Sequence, residues 1–384
     1  MNPDITSYIN DHKQEMFDLL EELVCIQSGS KNKKGVDRVG ERIALEMEAC
    51  EFSCEFQKET EYGNNLIVRN RDNTLETLQD KKQILITGHM DTVFPKDTAF
   101  NFYKEDMTRS YGPGVADMKG GLVVGMFALK ALAHTGLKNK NPICFIFNSD
   151  EEIGSPTSRG LIQREAQKSC IAYVLEAGGL SGEVVTGRKG SMSLRLTVEG
   201  KAGHAAFAGR DKASAILELA HKTIALESLN NPEKGISANV GTIEGGMGPN
   251  TVAALAKAAI DFRYLDAGDD EILKTRIDAI VSGRTIPGTN ASIRIASSRP
   301  AMPQNDANMG LFQKIKALAD ELGVGVSPEL RQGVSDANII AREGIPVIDG
   351  LGPIGAKDHS EDEYIEKSSL HERAVLFGNI LASI

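Results

Sequence analysis

The stretch ILITGHMDTVF, residues 84–94, decides how this chain is read. A run of apolar, β-prone residues stops at Gly88, and two polar side chains suited to metal chemistry, His89 and Asp91, follow at once. The same pattern recurs where PICFIFNSD runs into Glu151 and Glu152 and where IAYVL runs into Glu176. Asp117 stands in GVADMKGG, and His359 in AKDHSEDEY near the C-terminus. Strands fix the side chains at their ends while the loops beyond open to a ligand, as a hydrolytic metal centre requires. Imidazole and carboxylate without thiolate suit zinc and tolerate cobalt or manganese. Two such ions about 3.5–4 Å apart can hold both an attacking water and a carbonyl oxygen.

Outward from that stretch, a helix over residues 4–25 precedes apolar runs at 64–69, 84–88, 143–148 and 171–175, separated by helical or loop segments. This alternation predicts an α/β layered fold. Lys119–Thr135 is apolar on nearly every side and stops before Gly136, as a helix packed under a sheet does, so Asp117 lies just ahead of a helix N-terminus. Between residues 182 and 297 the character changes. Amphipathic strands (SMSLRLTVEG, ISANVGTIEGG, TVAALAKAAIDFRYLD, ASIRIASS) alternate with helices over Lys212–Ser228 and Asp269–Ser282. That β-α-β-β-α-β order predicts a ferredoxin-like α+β domain. The chain returns to helix, the strand IPVIDGL at 345–351, and a last helix from about Glu366. Because donors lie on both sides of the middle segment, we expect a mixed-sheet catalytic domain from 1–181 and 298–384, with 182–297 inserted.

Composition narrows the function classes. With 384 residues, 43 basic against 53 acidic side chains and a net charge of −10, the chain has no basic cluster able to track phosphates, so no nucleic-acid partner is expected. Cys25, Cys50, Cys54, Cys144 and Cys170 are odd in number, scattered and never in C-x-x-C, which predicts reduced, mostly buried thiols. The polar N-terminus and the lack of any run near 20 apolar residues predict a soluble cytoplasmic protein without membrane contact. His12, His134, His221 and His371 read as surface or capping residues, and Asp358 and Glu361 as solvated loop carboxylates. Ser149 and Ser155 have no neighbouring histidine and the cysteines no evident base, so nucleophilic catalysis is not expected.

Taken together, GHMDTVF, GPGVADMKGG, NSDEEIGS, GKAGHAA (200–206), NTVAALAKAAIDFRY (250–264), SSRPAM (297–302) and HSEDEY resemble the M20 family of metallopeptidases, above all its glutamate carboxypeptidase branch. Acetylornithine deacetylase and succinyl-diaminopimelate desuccinylase are more distant in likeness. The resemblance implies two zinc ions bound by His89, Asp117, Glu152, Glu176 and His359, with Asp117 bridging, and makes Glu151 the general base. It also implies a cis peptide after Asp117. The inserted domain becomes a lid and dimerisation domain whose His204, Asn250 and Arg263 act on substrate, with His204 reaching the site of a partner in a homodimer. Asp91, two residues past His89 on an extended strand end, is placed to orient the imidazole. Arg263 and Arg299 are the candidates to grip a substrate carboxylate through a bidentate fork. The chain departs from the family at Ala177-Gly178-Gly179, where many relatives have proline, and around His204, where Gly203 and two alanines replace Ser-His-Ala-Gly.

The expected activity is release of a C-terminal amino acid from a small peptide or N-acyl amino acid bearing a free carboxylate. An N-acyl-amino-acid deacylase or a dipeptidase would use the same core. Two further readings are a silent protein that binds an amino acid or peptide, and a metal that only stabilises the fold.

Overall fold

The structure, a computed structural model, describes residues 2–70, 82–137 and 141–383. The chain divides into two compact units. The first takes in the chain up to Gly187, Gln304–Arg331 and the stretch from Ser335 onward; the second is Arg188–Pro303 with Gln332–Val334. Both cuts fall a few residues beyond the expected 181/182 and 297/298. At the first cut the reason is local: the strand Glu183–Arg188 belongs to the first unit up to Gly187, paired with Ser327–Arg331 and bridged from Val185 to Asp349.

The first unit is built on a mixed sheet whose strands lie in the order Phe52–Gln57, Asn65–Asn70, Ile143–Asn148, Gln83–His89, Ser169–Val174, Val347–Ile348. The first two pairings are antiparallel and the rest parallel. Gln83–His89 and Ile143–Asn148 are buried along their whole length, as central parallel strands are, so they read as unbroken apolar runs. Register sets His89 beside Asn148 and Thr87 beside Val174, so the candidate donors leave the sheet at one edge.

The helix Gly120–Thr135 packs against that edge. It ends at Gly136, whose φ of 64° is the left-handed cap expected there. Its first turn approaches so closely that a Cβ on Gly121 would lie 1.8 Å from the Leu175 carbonyl oxygen, and one on Gly125 2.5 Å from Leu175 Cδ1. Only glycine allows this contact, which draws the segment carrying Asp117 towards the one carrying Glu176. Leu122, Val123, Met126 and Phe127 of this helix are buried, each contributing about 1.5–3 kcal/mol of apolar transfer.

Two expected elements differ. The N-terminal helix is two, Pro3–Asp11 and Lys13–Cys25, broken at His12, whose Nδ1 lies 2.7 Å from the Tyr8 carbonyl and whose ring stacks on Tyr8. The run at 345–351 is strand only at Val347–Ile348, where it pairs with Ala172 and Tyr173 before Gly350 turns the chain at positive φ. The thiols are also less buried than expected. Cys144 is buried, Cys25 at a helix end is exposed, and the other three are intermediate.

The second unit has an antiparallel sheet in the order Ser237–Gly245, Leu255–Tyr264, Gly190–Glu199, Asn290–Arg299. Helices Ala215–Glu227 and Asp269–Ser282 complete the β-α-β-β-α-β order. Alternation decides its faces: Met192, Leu194, Leu196 and Val198 point inward with Ala256, Ala258, Ile260 and Phe262 to form a separate core. Among the described residues no helix is long and apolar enough to cross a membrane.

Candidate metal centre

His89, at the end of its strand, is 2 % exposed. Its Nδ1 lies 2.9 Å from the Asp91 carbonyl oxygen. A carbonyl only accepts, so Nδ1 carries the hydrogen and Nε2 is left as the ligand atom. Asp117 Oδ1 is 2.9 Å from that Nε2, and Glu176 Oε1 is 3.7 Å from it. On the other side Asp117 Oδ2 is 3.2 Å from His359 Nε2, which is also 3.3 Å from Glu152 Oε2. The Asp117 carboxylate thus stands between two imidazoles. The Asp117–Met118 peptide is cis.

The charges are mutually dependent. Burial alone would raise the Asp117 carboxyl, but hydrogen bonds from His359 and His89 hold it well below the usual range. Burial raises Glu176 well above its ordinary value and raises Glu152 as well. Asp117 and then Glu152 push His359 up to about 11. Burial works against a charged His89, yet Asp117 and Asp91 raise it well above the ordinary imidazole value. The carboxylates crowd negative charge that protons on the imidazoles offset, and a cation bound here would take the place of those protons.

The donor set fits metal. Ligands about 2.0–2.1 Å from one tetrahedral ion lie about 3.3 Å apart, close to the separations found here. Glu152 Oε1 is buried and has no hydrogen-bond partner among the described residues, an orphaned oxygen of the kind a metal satisfies.

Asp91 is fully buried and does more than face the imidazole. Its carboxylate accepts from the Ser30 hydroxyl at 2.7 Å and from the amides of Glu151 and Glu152 at 3.1 and 3.3 Å, while its Oδ1 is 3.5 Å from His89 Nδ1. It therefore holds the turn that presents Glu151 and Glu152. Asp150 braces the same turn from the other side by accepting from the Thr157 amide and hydroxyl.

Two further carboxylates stand near this cluster. Asp358 is exposed, yet its ligand oxygen lies within 4.8 Å of those of Asp117 and His359. Glu363 is fully buried and accepts from the amides of Gly114, Ala116 and Asp117. In HSEDEY it is one acid among three; its place directly before the apolar Tyr364-Ile365 was the only sign that it turns inward.

The residues expected to act on substrate lie in the second unit. Gly203–His204 pairs antiparallel with Thr251–Val252, and the Asn250 carbonyl accepts from Ala205, so His204 and Asn250 are neighbours on one exposed ribbon. The His204 Nδ1 accepts from the Ala206 amide. Arg263 pairs with Asp261 at 2.8 Å on the same strand. Arg299, at the end of its strand, is 4 % exposed, so it is no surface residue.

The model of peptidase family M20/M25/M40 matches residues 85–383. The chain belongs to this family. It is a metallohydrolase of the M20 type. Carboxypeptidase G2 of a Pseudomonas species is 27 % identical over 97 % of this chain and 90 % of its own. A succinyl-diaminopimelate desuccinylase of Stutzerimonas stutzeri is 26 % identical over 85 % of this chain and 87 % of its own. Among solved structures, aminopeptidase PepT of Bacillus cereus shares the fold at a TM-score of 0.80 and 24 % identity, covering 96 % of this chain and 98 % of that one. M20 relatives thus carry several activities on one framework.

Proposed function

We propose that this M20 chain hydrolyses an amide bond in a small substrate with a free carboxylate, releasing a C-terminal amino acid. The observation that carries the reading is Asp117, whose two oxygens lie 2.9 Å from His89 and 3.2 Å from His359, as a carboxylate shared by two ions would. His89 and Glu176 would hold one zinc ion and Glu152 and His359 the other. Bound by these residues, zinc would supply a Lewis acid for the carbonyl and a lowered pKa for water. Glu151 takes a proton from the attacking water and returns it to the departing amine. Asp91 keeps the Glu151–Glu152 turn fixed for that transfer. His204 donates to the carbonyl oxygen as its charge grows, with Asn250 beside it, and Arg263 and Arg299 pair with the substrate carboxylate.

The carboxypeptidase assignment rests on the likeness to carboxypeptidase G2 over 97 % of the chain. A dipeptidase is the second reading. Asp358 adds a negative charge within 4.8 Å of Asp117 and His359, where it would attract a free α-amino group. A homodimer formed through the second unit belongs to the proposal, supported by Ile224 at 71 % exposure on the helix Ala215–Glu227 and Ile243 at 55 % on the edge strand Ser237–Gly245.

The test is amino-acid release by the zinc-loaded protein from a panel of C-terminal peptides, dipeptides, N-acyl glutamates and N-acetyl or N-succinyl amino acids, with Glu151→Gln as control. Release from C-terminal peptides or N-acyl glutamates that vanishes in the control is expected. Turnover of dipeptides alone would favour the second reading, and turnover of nothing with metal bound would sink both.

A further inference from the structure

Glu363 is 0 % exposed, although the two acids before it, Glu361 and Asp362, face water; the chain turns inward at Glu363 and stays buried through Tyr364 and Ile365. Its Oε1 accepts from the amides of Ala116 at 2.8 Å and Asp117 at 3.0 Å, and its Oε2 accepts from the Gly114 amide at 3.0 Å. One carboxylate thus gathers three amides of the turn that leads into Asp117. Backbone donors removed from water need partners, and these have no sheet or regular helix to supply them.

The geometry of both ends is fixed. Gly114 has a φ of 76°, and a Cβ there would lie 2.7 Å from Thr92 Cγ2, so the turn fits only as glycine allows. On the other side Glu363 immediately precedes the strand Tyr364–Glu366, which pairs with Arg109–Tyr111 and Gly355–Ala356. The Lys119 side chain, also buried, donates to the Ile26 carbonyl at 3.0 Å. An acidic side chain is kept in this interior at a desolvation cost that an apolar one would avoid, and its three amide contacts are what retains it.

We infer that Glu363 is a positioning residue: it holds the Gly114–Asp117 turn so that the Asp117 carboxylate is set between His89 and His359 before any metal arrives. It touches no substrate and binds no metal itself. It also ties the C-terminal loop carrying His359, four residues earlier, to the loop carrying Asp117. The inference rests on reading Asp117 as the shared ligand.

Glu363→Gln tests it with little change of shape. Its carboxamide oxygen can still accept from Ala116 and Asp117, but its NH2 group meets the Gly114 N–H donor to donor. Chelator competition on the full-length protein is expected to show zinc binding weakened about 10–100-fold, the range for groups that support a ligand. Turnover at limiting zinc falls, excess zinc restores much of it, and KM changes little. A role in stability alone would lower the melting temperature of the metal-free protein and leave zinc affinity of the folded protein unchanged, and that result overturns the inference. Asp117→Asn, measured alongside, separates the two readings: if it keeps both ions, the metal assignment itself fails. Should Glu363→Gln not fold, residue-resolved hydrogen exchange on the metal-free wild type decides. Gly114, Ala116 and Asp117 amides protected like those of the central strands support the inference, and exchange at free-loop rates overturns it.

Discussion

In the first unit the proposed chemistry is held from several sides. Asp91 is fully buried among a hydroxyl and two amides, and Asp117 stands between two imidazoles. In the second unit His204 is exposed on a two-stranded ribbon, with the Ala206 amide on one ring nitrogen, and Arg263 pairs with a carboxylate of its own strand. The difference separates two kinds of precision. Groups that orient metal and water are fixed by folding itself, because leaving them unpaired in the interior is unfavourable. Of the groups proposed to recognise substrate, His204 and Asn250 sit on the exposed ribbon, free to adjust when it binds, whereas Arg299 is buried.

The sharpest break of this contrast comes from Glu151→Gln. Turnover is expected to fall about 10²–10⁴-fold, the usual contribution of a general base, with metal content measured by atomic emission unchanged. Loss of metal in that variant would mean that Glu151 is a ligand. His204→Ala should lower kcat about 10²–10³-fold as loss of one oxyanion donor does, leaving the melting temperature and zinc content as in the wild type. Asp91→Ala should instead affect all three readouts. It strands Ser30 and two amides in the interior, at about 1–3 kcal/mol for each group left unsatisfied. Equal thermal effects of the two substitutions would erase the distinction between the units.

A subtler consequence concerns protons. Asp117 and Glu152 raise His359 to about 11, and Asp117 and Asp91 raise His89 well above its ordinary value against burial, so folding of the metal-free protein favours the protonated imidazoles. Their contribution to stability is full below about pH 6.5, the unfolded value, and declines as pH rises towards the folded value. Zinc must displace these protons, so affinity should strengthen as pH rises, and calorimetry in buffers of different ionisation enthalpy should record proton release. Affinity independent of pH would contradict the charge assignment.

The smallest effect lies away from both sites. Although burial raises it, Glu165 is held down to about 2 by Lys168, Gln83 and Arg69. A depressed carboxyl stabilises above its unfolded value near 4.5 and loses that contribution as pH falls towards 2. Glu165→Gln should therefore melt lower than wild type at pH 7, converge with it in acid, and leave kcat unchanged. A gap that persists at pH 2 would mean packing, not charge, was lost.

Much of this was legible in the sequence for a physical reason. A buried parallel strand is nearly continuous in apolar residues, so polar residues mark its end: His89 closes one such strand, and Glu151, Glu152 and Glu176 stand just past two others. The β-α-β-β-α-β order was equally plain, because a half-buried antiparallel sheet alternates. What stayed hidden depended on contacts distant in sequence. The Asp91 carboxylate reaches Ser30 and the Glu151 amide, 61 and 60 residues away. Glu363 meets amides about 250 positions earlier. Helix Lys33–Ala49 lies outside the elements expected from the sequence, and the break at His12 interrupts an amphipathic pattern that runs on through it.

The most direct test of the central claim is zinc titration of the metal-free chain, followed by metal analysis, for wild type and Asp117→Asn in parallel. The shared carboxylate predicts two equivalents bound by the wild type and severe loss of both on replacing Asp117, because each ion loses an oxygen. A wild type that binds one equivalent, or an Asp117→Asn protein that keeps two with undiminished affinity, would contradict it.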